Sequence, residues 1–131
     1  MNPWIGIALG GATGAVLRHA VGLSVGLWVQ RGVPAFPWGT LAINVSGSLA
    51  LGFLARVTAG PDFSPSLRAA LTIGLCGGYT TFSTFSFETM RLLEDGMNAR
   101  AATYVIASTV LSIAAIFAGA LLARSILGTA R

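Results

Sequence analysis

Polar side chains recur inside the most apolar parts of this 131-residue sequence, and the densest group is "GGYTTFSTFSFE", residues 77–88. At helical spacing Phe82 and Phe85 share one face. Ser83 projects about a right angle away from them, and Thr84 and Glu88 project toward the far side. Aromatic rings have positive edges and hydroxyl groups donate hydrogen bonds. The group therefore predicts reversible binding of a small hydrated anion, with simple packing as the alternative for the two rings.

Other apolar stretches of the chain carry polar side chains at helical spacing. Polar groups inside a membrane face the interior of a bundle or a watery path. Stripes of this kind on several helices therefore predict a conduit. The residues are Arg18 in the first stretch, Asn44 flanked by Thr40 and Ser48 in the second, and Tyr104, Ser108 and Ser112 in the fourth.

Each of these side chains also has a structural interpretation. Ser and Thr often bond to carbonyls of their own helix, which is the reading favoured for Ser46 and Ser48. Asn44 is as well suited to a hydrogen bond between helices as to a path. The aliphatic part of the Arg18 side chain is long enough for its guanidinium to reach the membrane–water interface. His19 is expected to meet headgroups or to pack, because one histidine makes neither a metal site nor a relay.

The elements that must position these residues are membrane-spanning helices. The sequence is 54% apolar and only 9% charged, against about 25% charged residues in soluble domains. Four apolar stretches are long enough to cross a bilayer. They predict an all-α integral membrane protein with one domain, residues 1–131, and spans at about 4–29, 38–56, 67–93 and 99–124.

The arginines bear on orientation, because their distribution between the two sides sets how a chain inserts. Four hairpin-linked spans place both termini on one side, which gives four arginines on that side and three on the other. This weak bias predicts dual topology and an antiparallel homodimer, and the alternative is that helix hydrophobicity orients the chain. Scattered arginines make no nucleic-acid surface. The two groups are Arg56, Arg68, Arg124 and Arg131, against Arg31, Arg91 and Arg100.

The third span contains a helix-weakening stretch in its middle. Gly74, Gly77 and Gly78 lower helix stability, and Thr80 and Thr81 follow directly. We expect an interruption between Gly77 and Thr80, with the helix starting again near Thr81. Carbonyl groups freed by such an interruption are able to bind a cation.

The sequence resembles the Fluc (CrcB) family of fluoride channels. The stretches that carry the resemblance are "GGATGAVLRH", "GTLAINVSGSLALGF" and "GLCGGYTTFSTFSFE". The resemblance implies an antiparallel dual-topology homodimer with two fluoride pores in a membrane, expected to be the bacterial cytoplasmic membrane. It also implies a central structural Na⁺ held by the carbonyls of Gly77 and Thr80, and a vestibule near Arg18. The implied pore residues are Asn44, Phe82, Ser83, Thr84, Phe85, Glu88 and Ser112, with Tyr104 and Ser108 beside them.

Three other functions compete with a channel. A small multidrug-type proton antiporter needs a carboxylate in its first span, but the first 61 residues contain no Asp or Glu. A non-transporting structural subunit leaves the clustered polar residues unexplained. An enzyme is disfavoured because the sequence offers no nucleophile–base pair, and the lone Cys76 predicts no disulfide or cysteine metal site.

Overall fold

The computed structural model describes residues 2–29 and 36–128, and its regular elements in these ranges are all helical. Arg31 and Arg131, which enter the arginine count above, lie outside the described residues. A long α1 (Pro3–Val29) is followed by α2 (Trp38–Val57). The third region contains α3 (Pro65–Ala69), a π-helix (Ala70–Cys76), α4 (Gly77–Tyr79) and α5 (Phe82–Glu94). The last helix is α6 (Asn98–Gly128).

Glycines set the close crossing between α1 and the third region. A Cβ on Gly10 would meet the carbonyl of Ala70, and one on Gly74 would lie 2.7 Å from the carbonyl of Ile7. One turn further along α1, a Cβ on Gly14 would collide with the carbonyl of Leu75. The glycine stripe of the first span therefore brings two backbones into contact, as small residues do between membrane helices.

Substitution of Gly14 by alanine should destabilise the folded chain by about 2–3 kcal/mol, because the added methyl group meets backbone that cannot move aside. The matched control is Gly11→Ala, where the new Cβ would have its nearest neighbour at 3.9 Å. That variant should be neutral or slightly more stable, since alanine favours a helix. Thermal unfolding of the purified protein in detergent measures both. Equal stability of the two variants would contradict this account of the crossing.

The second tight crossing joins α2 to α6. A Cβ on Gly52 would collide with the carbonyl of Ile116, and one on Gly119 with the carbonyl of Leu49. Because residue numbers rise along one helix as they fall along the other, the two helices run antiparallel. The pair forms the other half of the bundle, and α5 packs on α6 beside it.

The interruption of the third region lies at Thr80 and Thr81, not at the glycines. Gly77 has helical backbone angles (φ −65°, ψ −35°), whereas Thr80 and Thr81 are extended, with ψ of 159° and 120°. The expected restart near Thr81 is confirmed, because α5 begins at Phe82, whereas the expected start of the interruption at Gly77 is wrong by three residues. Gly74 and Gly78 pack against α1 instead, so they serve the crossing and not the break. The Thr81 hydroxyl caps α5 by accepting from the amide of Thr84 at 3.2 Å.

Three of the described helices are long and apolar enough to cross a membrane: Pro3–Leu27, Trp38–Val57 and Asn98–Gly128. The third region carries comparable length but is divided by the extended threonines. Large apolar side chains on α1 and α6 point outward, for example Val16, Leu27, Ile113 and Leu121. An apolar exterior of this kind needs lipid or another protein surface against it.

Candidate anion path at the helix break

The backbone at the break is fully hydrogen-bonded within one chain. The Thr80 amide donates to the Cys76 carbonyl at 3.0 Å. The Thr80 carbonyl accepts from Nη1 of Arg18 at 3.2 Å. The Thr81 amide donates to Oδ1 of Asn44 at 2.9 Å, and its carbonyl accepts from Nδ2 at 3.1 Å. Side chains of α1 and α2 thus replace the helical hydrogen bonds that the two extended residues cannot make.

Asn44 is held in one orientation by this reciprocal pair with Thr81. Its amide oxygen must accept and its nitrogen must donate, because the backbone groups opposite have fixed roles. The amide nitrogen has a second N–H that the pair does not use. The two interpretations offered for Asn44, a link between helices and a donor to an ion, are therefore compatible.

A cavity of ≈ 330 Å³, here named the aromatic cavity, lies on one side of the break. The hydroxyls of Ser108 and Ser112 are buried there and have no hydrogen-bond partner among the described residues. Buried hydroxyls without a partner are costly, so they indicate that something else meets them. The rings of Phe82 and Phe85, whose centroids lie 5.4 Å apart, also line this cavity. The amino end of α5, at Thr81 and Phe82, adds a partial positive charge to the same space. Residues lining the cavity include Asn44, Thr81, Phe82, Phe85, Ser108 and Ser112.

A second cavity of ≈ 500 Å³, here named the arginine cavity, lies on the other side of the break. It runs between α1, α2 and the start of α5, and Arg18 lines it together with Thr40 and Thr84. Thr81 lines both cavities. The pair of Asn44 and Thr81 therefore stands between the two spaces. Neither cavity is lined by a carboxylate within the described ranges.

Glu88, which is partly buried, and Tyr104 form a hydrogen-bonded group beside the cavities and line neither of them. The Tyr104 hydroxyl donates to one carboxylate oxygen of Glu88 at 2.7 Å, and the Thr40 hydroxyl donates to the other at 2.9 Å. Tyr104 is fully buried, and its ring lies 5.2 Å from that of Phe85. This group supports the Phe85 wall of the aromatic cavity. Thr40 was recognised in the sequence only as part of the Asn44 stripe, and its spacing of four from Asn44 was the available signal.

The structure also shows the hydrogen bonds of Ser83, Ser46 and Tyr79. The Ser83 hydroxyl lies 3.2 Å from that of Thr81 and faces neither cavity. The Ser46 hydroxyl donates to the Ala42 carbonyl at 2.7 Å, as expected for a serine bonded to its own helix. The Tyr79 hydroxyl donates to Ser46 at 3.0 Å. Tyr79 therefore ties the last turn before the break to α2, a role that its sequence position did not reveal.

The residues at the break are compatible with a cation held by backbone oxygens. Because the Thr81 amide bonds to Asn44, it no longer donates to the Gly77 carbonyl as a continued helix would require. Gly77 is exposed, with no atom within 4 Å of an added Cβ. The Thr80 carbonyl already accepts from Arg18 and retains one lone pair. No group of acidic, histidine or cysteine side chains that would hold a metal occurs among the described residues.

The comparisons with known proteins agree with this architecture. A profile of the family described as "CrcB-like protein, Camphor Resistance (CrcB)" matches residues 5–120 of the chain. The chain belongs to the CrcB-like family. A CrcB-like relative from Nitrobacter winogradskyi, named "Fluoride-specific ion channel FluC", is 49% identical over 123 residues, which cover 93% of this chain and 95% of the relative.

Two further CrcB-like relatives carry the same name. The protein from Rhizobium meliloti is 47% identical over 127 residues, 95% of this chain and 98% of its own length. The protein from Phocaeicola vulgatus is 43% identical over 113 residues, 86% of this chain and 91% of its own length. With its long apolar helices, this CrcB-like chain is a multi-pass integral membrane protein.

Proposed function

We propose that the protein is a channel through which fluoride leaves the cell passively. The observation that carries the proposal is the aromatic cavity, whose lining combines the unpartnered Ser108 and Ser112 hydroxyls with the rings of Phe82 and Phe85. The relatives named fluoride-specific ion channels supply the identity of the anion. Nothing in the site calls for enzymatic chemistry.

The two cavities define the path. An anion enters the arginine cavity, where the guanidinium of Arg18 favours negative charge. It passes the pair of Asn44 and Thr81 and reaches the aromatic cavity. There it exchanges water for donors: the serine hydroxyls, the second N–H of Asn44, the amino end of α5 and the positive edges of the rings. None of these groups is a full cation, so the anion is bound weakly enough to leave.

The same lining disfavours a proton-coupled cation antiporter. Such a protein needs a carboxylate that exchanges protons with a site open to the cargo. Glu88 is the one acidic residue in the described part of the spans, away from their ends, and both of its oxygens accept hydrogen bonds from Thr40 and Tyr104. A carboxylate that accepts hydrogen bonds at both oxygens is suited to stabilising the packing beside the aromatic cavity, and not to exchanging protons with a transported cation.

The test is fluoride release from liposomes containing the purified protein. Liposomes loaded with potassium fluoride, with valinomycin to balance charge, should release fluoride rapidly to an electrode outside. Liposomes loaded with potassium chloride should retain their anion. Equal release of both anions would contradict selectivity, and release of neither would contradict the channel.

The working unit in this proposal is an antiparallel homodimer with two pores. The aromatic cavity is open on one side of the single chain, and Phe82 is 79% exposed there. A second copy, inverted in the membrane, would complete each cavity with its own residues. The nearly even arginine distribution favours insertion in both orientations.

A structural Na⁺ between the two copies is part of the same proposal. The carbonyls of Gly77 and Thr80 would hold it, two from each copy. Oxygen ligands suit a hard cation, and binding in the dimer would offset the cost of covering the Gly77 carbonyl, which has lost its helical donor. In this arrangement Na⁺ would supply positive charge between the copies, and Arg18 holds the Thr80 carbonyl by a hydrogen bond of 3.2 Å.

Two measurements test the dimer. Reporters fused after residue 128 should appear on both faces of the membrane, and a reporter on one face only would contradict dual topology. Purified protein should remain dimeric in sodium buffer. When choline replaces sodium, the protein concentration at which half of the dimer dissociates should rise about tenfold. Identical dimer stability in both buffers would contradict the sodium site.

A further inference from the structure

The last helical turn before the break is held from two sides. This turn is α4, and two of its three residues are glycines. On one side its backbone packs against α1, since a Cβ on Gly14 would lie 2.7 Å from the Tyr79 amide nitrogen. On the other side Tyr79 is the residue of α4 whose side chain can reach a neighbouring helix. The contacts of the Tyr79 side chain therefore decide how firmly the turn is held.

The Tyr79 side chain is fixed on α2 at both its hydroxyl and its ring. The Ser46 hydroxyl directs its single hydrogen to its own helix, with the Ala42 carbonyl at 2.7 Å. It therefore accepts from the Tyr79 hydroxyl, which lies 3.0 Å away. Gly47 leaves room for the ring, because an added Cβ would lie 2.9 Å from its Cδ1 atom. The same Cβ would collide with the methyl group of Thr80, so α2 packs closely on both residues.

The position of this turn bears on the two carbonyls proposed to hold Na⁺. Tyr79 comes two residues after Gly77 and one before Thr80. The Thr81 amide bonds to Asn44, so it does not hold the Gly77 carbonyl as a continued helix would. Helix ends fray, and their last carbonyls have no donor within the helix. A cation binds more tightly to ligands that are already oriented, because orienting them on binding costs free energy.

We propose that Tyr79 is a positioning residue for the cation: its hydrogen bond to Ser46 orients the Gly77 and Thr80 carbonyls and thereby sets the affinity for sodium. The inference rests on the proposed dimer with its structural Na⁺. Tyr79 does not contact the ion in this arrangement. Loss of its hydroxyl therefore weakens sodium binding without removing a ligand.

The experiment measures how strongly sodium stabilises the dimer of each purified variant in detergent. The quantity is the protein concentration at which half of the dimer dissociates, expressed as the ratio of its values in choline and sodium buffer, which is about tenfold for the parent. Tyr79→Phe loses one hydrogen bond, which should weaken sodium affinity about threefold. Because sodium binds only the dimer in this proposal, the ratio should fall to about fourfold. Ser46→Ala should give the same ratio, and the double variant should fall no further.

The matched control is Ser24→Ala on α1. The Ser24 hydroxyl also donates to a carbonyl of its own helix, that of Ala20, at 2.9 Å. Ser24→Ala therefore loses the same kind of bond as Ser46→Ala, but the bond to Tyr79 stays intact. This control should keep the parent's ratio.

The outcomes separate positioning from simple support of the fold. A Tyr79→Phe dimer that is weakened by one factor in both buffers keeps the parent's ratio and would overturn the inference. A double variant with a smaller ratio than either single variant would also overturn it, because the two hydroxyls would then act separately. Ser46→Ala decides the matter if Tyr79→Phe does not fold.

Failure of the inference is distinguishable from failure of the proposed function. If the parent dimer dissociates at one concentration in both buffers, the sodium site fails and the inference fails with it. If the parent responds to sodium and the two variants respond equally, only the role of Tyr79 fails. Fluoride release from liposomes by the parent reports on the channel separately.

Discussion

Phe82→Ile should reduce fluoride flux about tenfold in a protein that folds as the parent does. Phe82 is 79% exposed in the chain, so the substitution removes few contacts and should change stability by less than about 1 kcal/mol. What it removes is an aromatic ring, with its positive edge, from the lining of the cavity that also contains the Ser108 and Ser112 hydroxyls. Loss of about 1.4 kcal/mol of interaction with the anion corresponds to tenfold.

The control for this substitution is Phe117→Ile on α6. Phe117 is 66% exposed and lines none of the cavities described above, so this variant should conduct at the rate of the parent. Phe85→Ile is less informative, because the Phe85 ring also packs 5.2 Å from Tyr104 and its loss disturbs the bundle. A Phe82→Ile channel as fast as the Phe117→Ile channel would reduce Phe82 to a packing residue.

Asn44→Asp should abolish measurable flux and destabilise the helix break. The carboxylate can accept from the Thr81 amide, as Oδ1 of Asn44 does now at 2.9 Å. Its second oxygen would replace the nitrogen that donates to the Thr81 carbonyl at 3.1 Å, so two acceptors would face each other. A partly buried carbonyl that loses its donor costs about 1–3 kcal/mol, which corresponds to roughly fivefold to 150-fold. The same charge repels an anion that moves between the two cavities.

The matched control is the same substitution at the start of α6, Asn98→Asp. Asn98 is exposed, and a carboxylate at a helix amino end is slightly stabilising. This variant should fold and conduct normally. Thermal unfolding in detergent and fluoride release from liposomes measure both variants. If Asn44→Asp retained the parent's stability, the reciprocal pair with Thr81 would not be what holds the break.

The helices that supply the site could be predicted from the sequence. The role of each side chain could be predicted less well. Spacing of four placed Thr40, Asn44 and Ser48 on one face, and Ser108 and Ser112 on another, because helical geometry is local. The orientation of the Asn44 amide could not be predicted from the sequence, because it depends on the amide of Thr81, thirty-seven residues away. The same holds for Glu88, whose partners Thr40 and Tyr104 lie on two other helices.

The break illustrates why local propensity misplaced one element. Glycine weakens an isolated helix, so Gly77 and Gly78 were expected to interrupt it. In the bundle, Gly78 packs against Gly11 of α1, with 2.9 Å between an added Cβ and the Gly11 Cα. A helical turn at that point allows the two backbones to approach closely, and this contact outweighs the low helix propensity of glycine. The threonines interrupt the helix because Asn44 and Arg18 offer their backbone better partners than the next turn does.

The self-sufficiency of the break has a consequence for biogenesis. Each newly made chain can satisfy the amides and carbonyls of Thr80 and Thr81 with its own Arg18 and Asn44 as soon as its helices meet. No backbone hydrogen bond of these two residues waits for another molecule. In the proposed antiparallel dimer, copies released into the bilayer at different times and in opposite orientations would therefore persist as folded single chains and meet by lateral diffusion. Assembly would then depend on the surface concentration of the two orientations, and an excess of either one would remain unpaired.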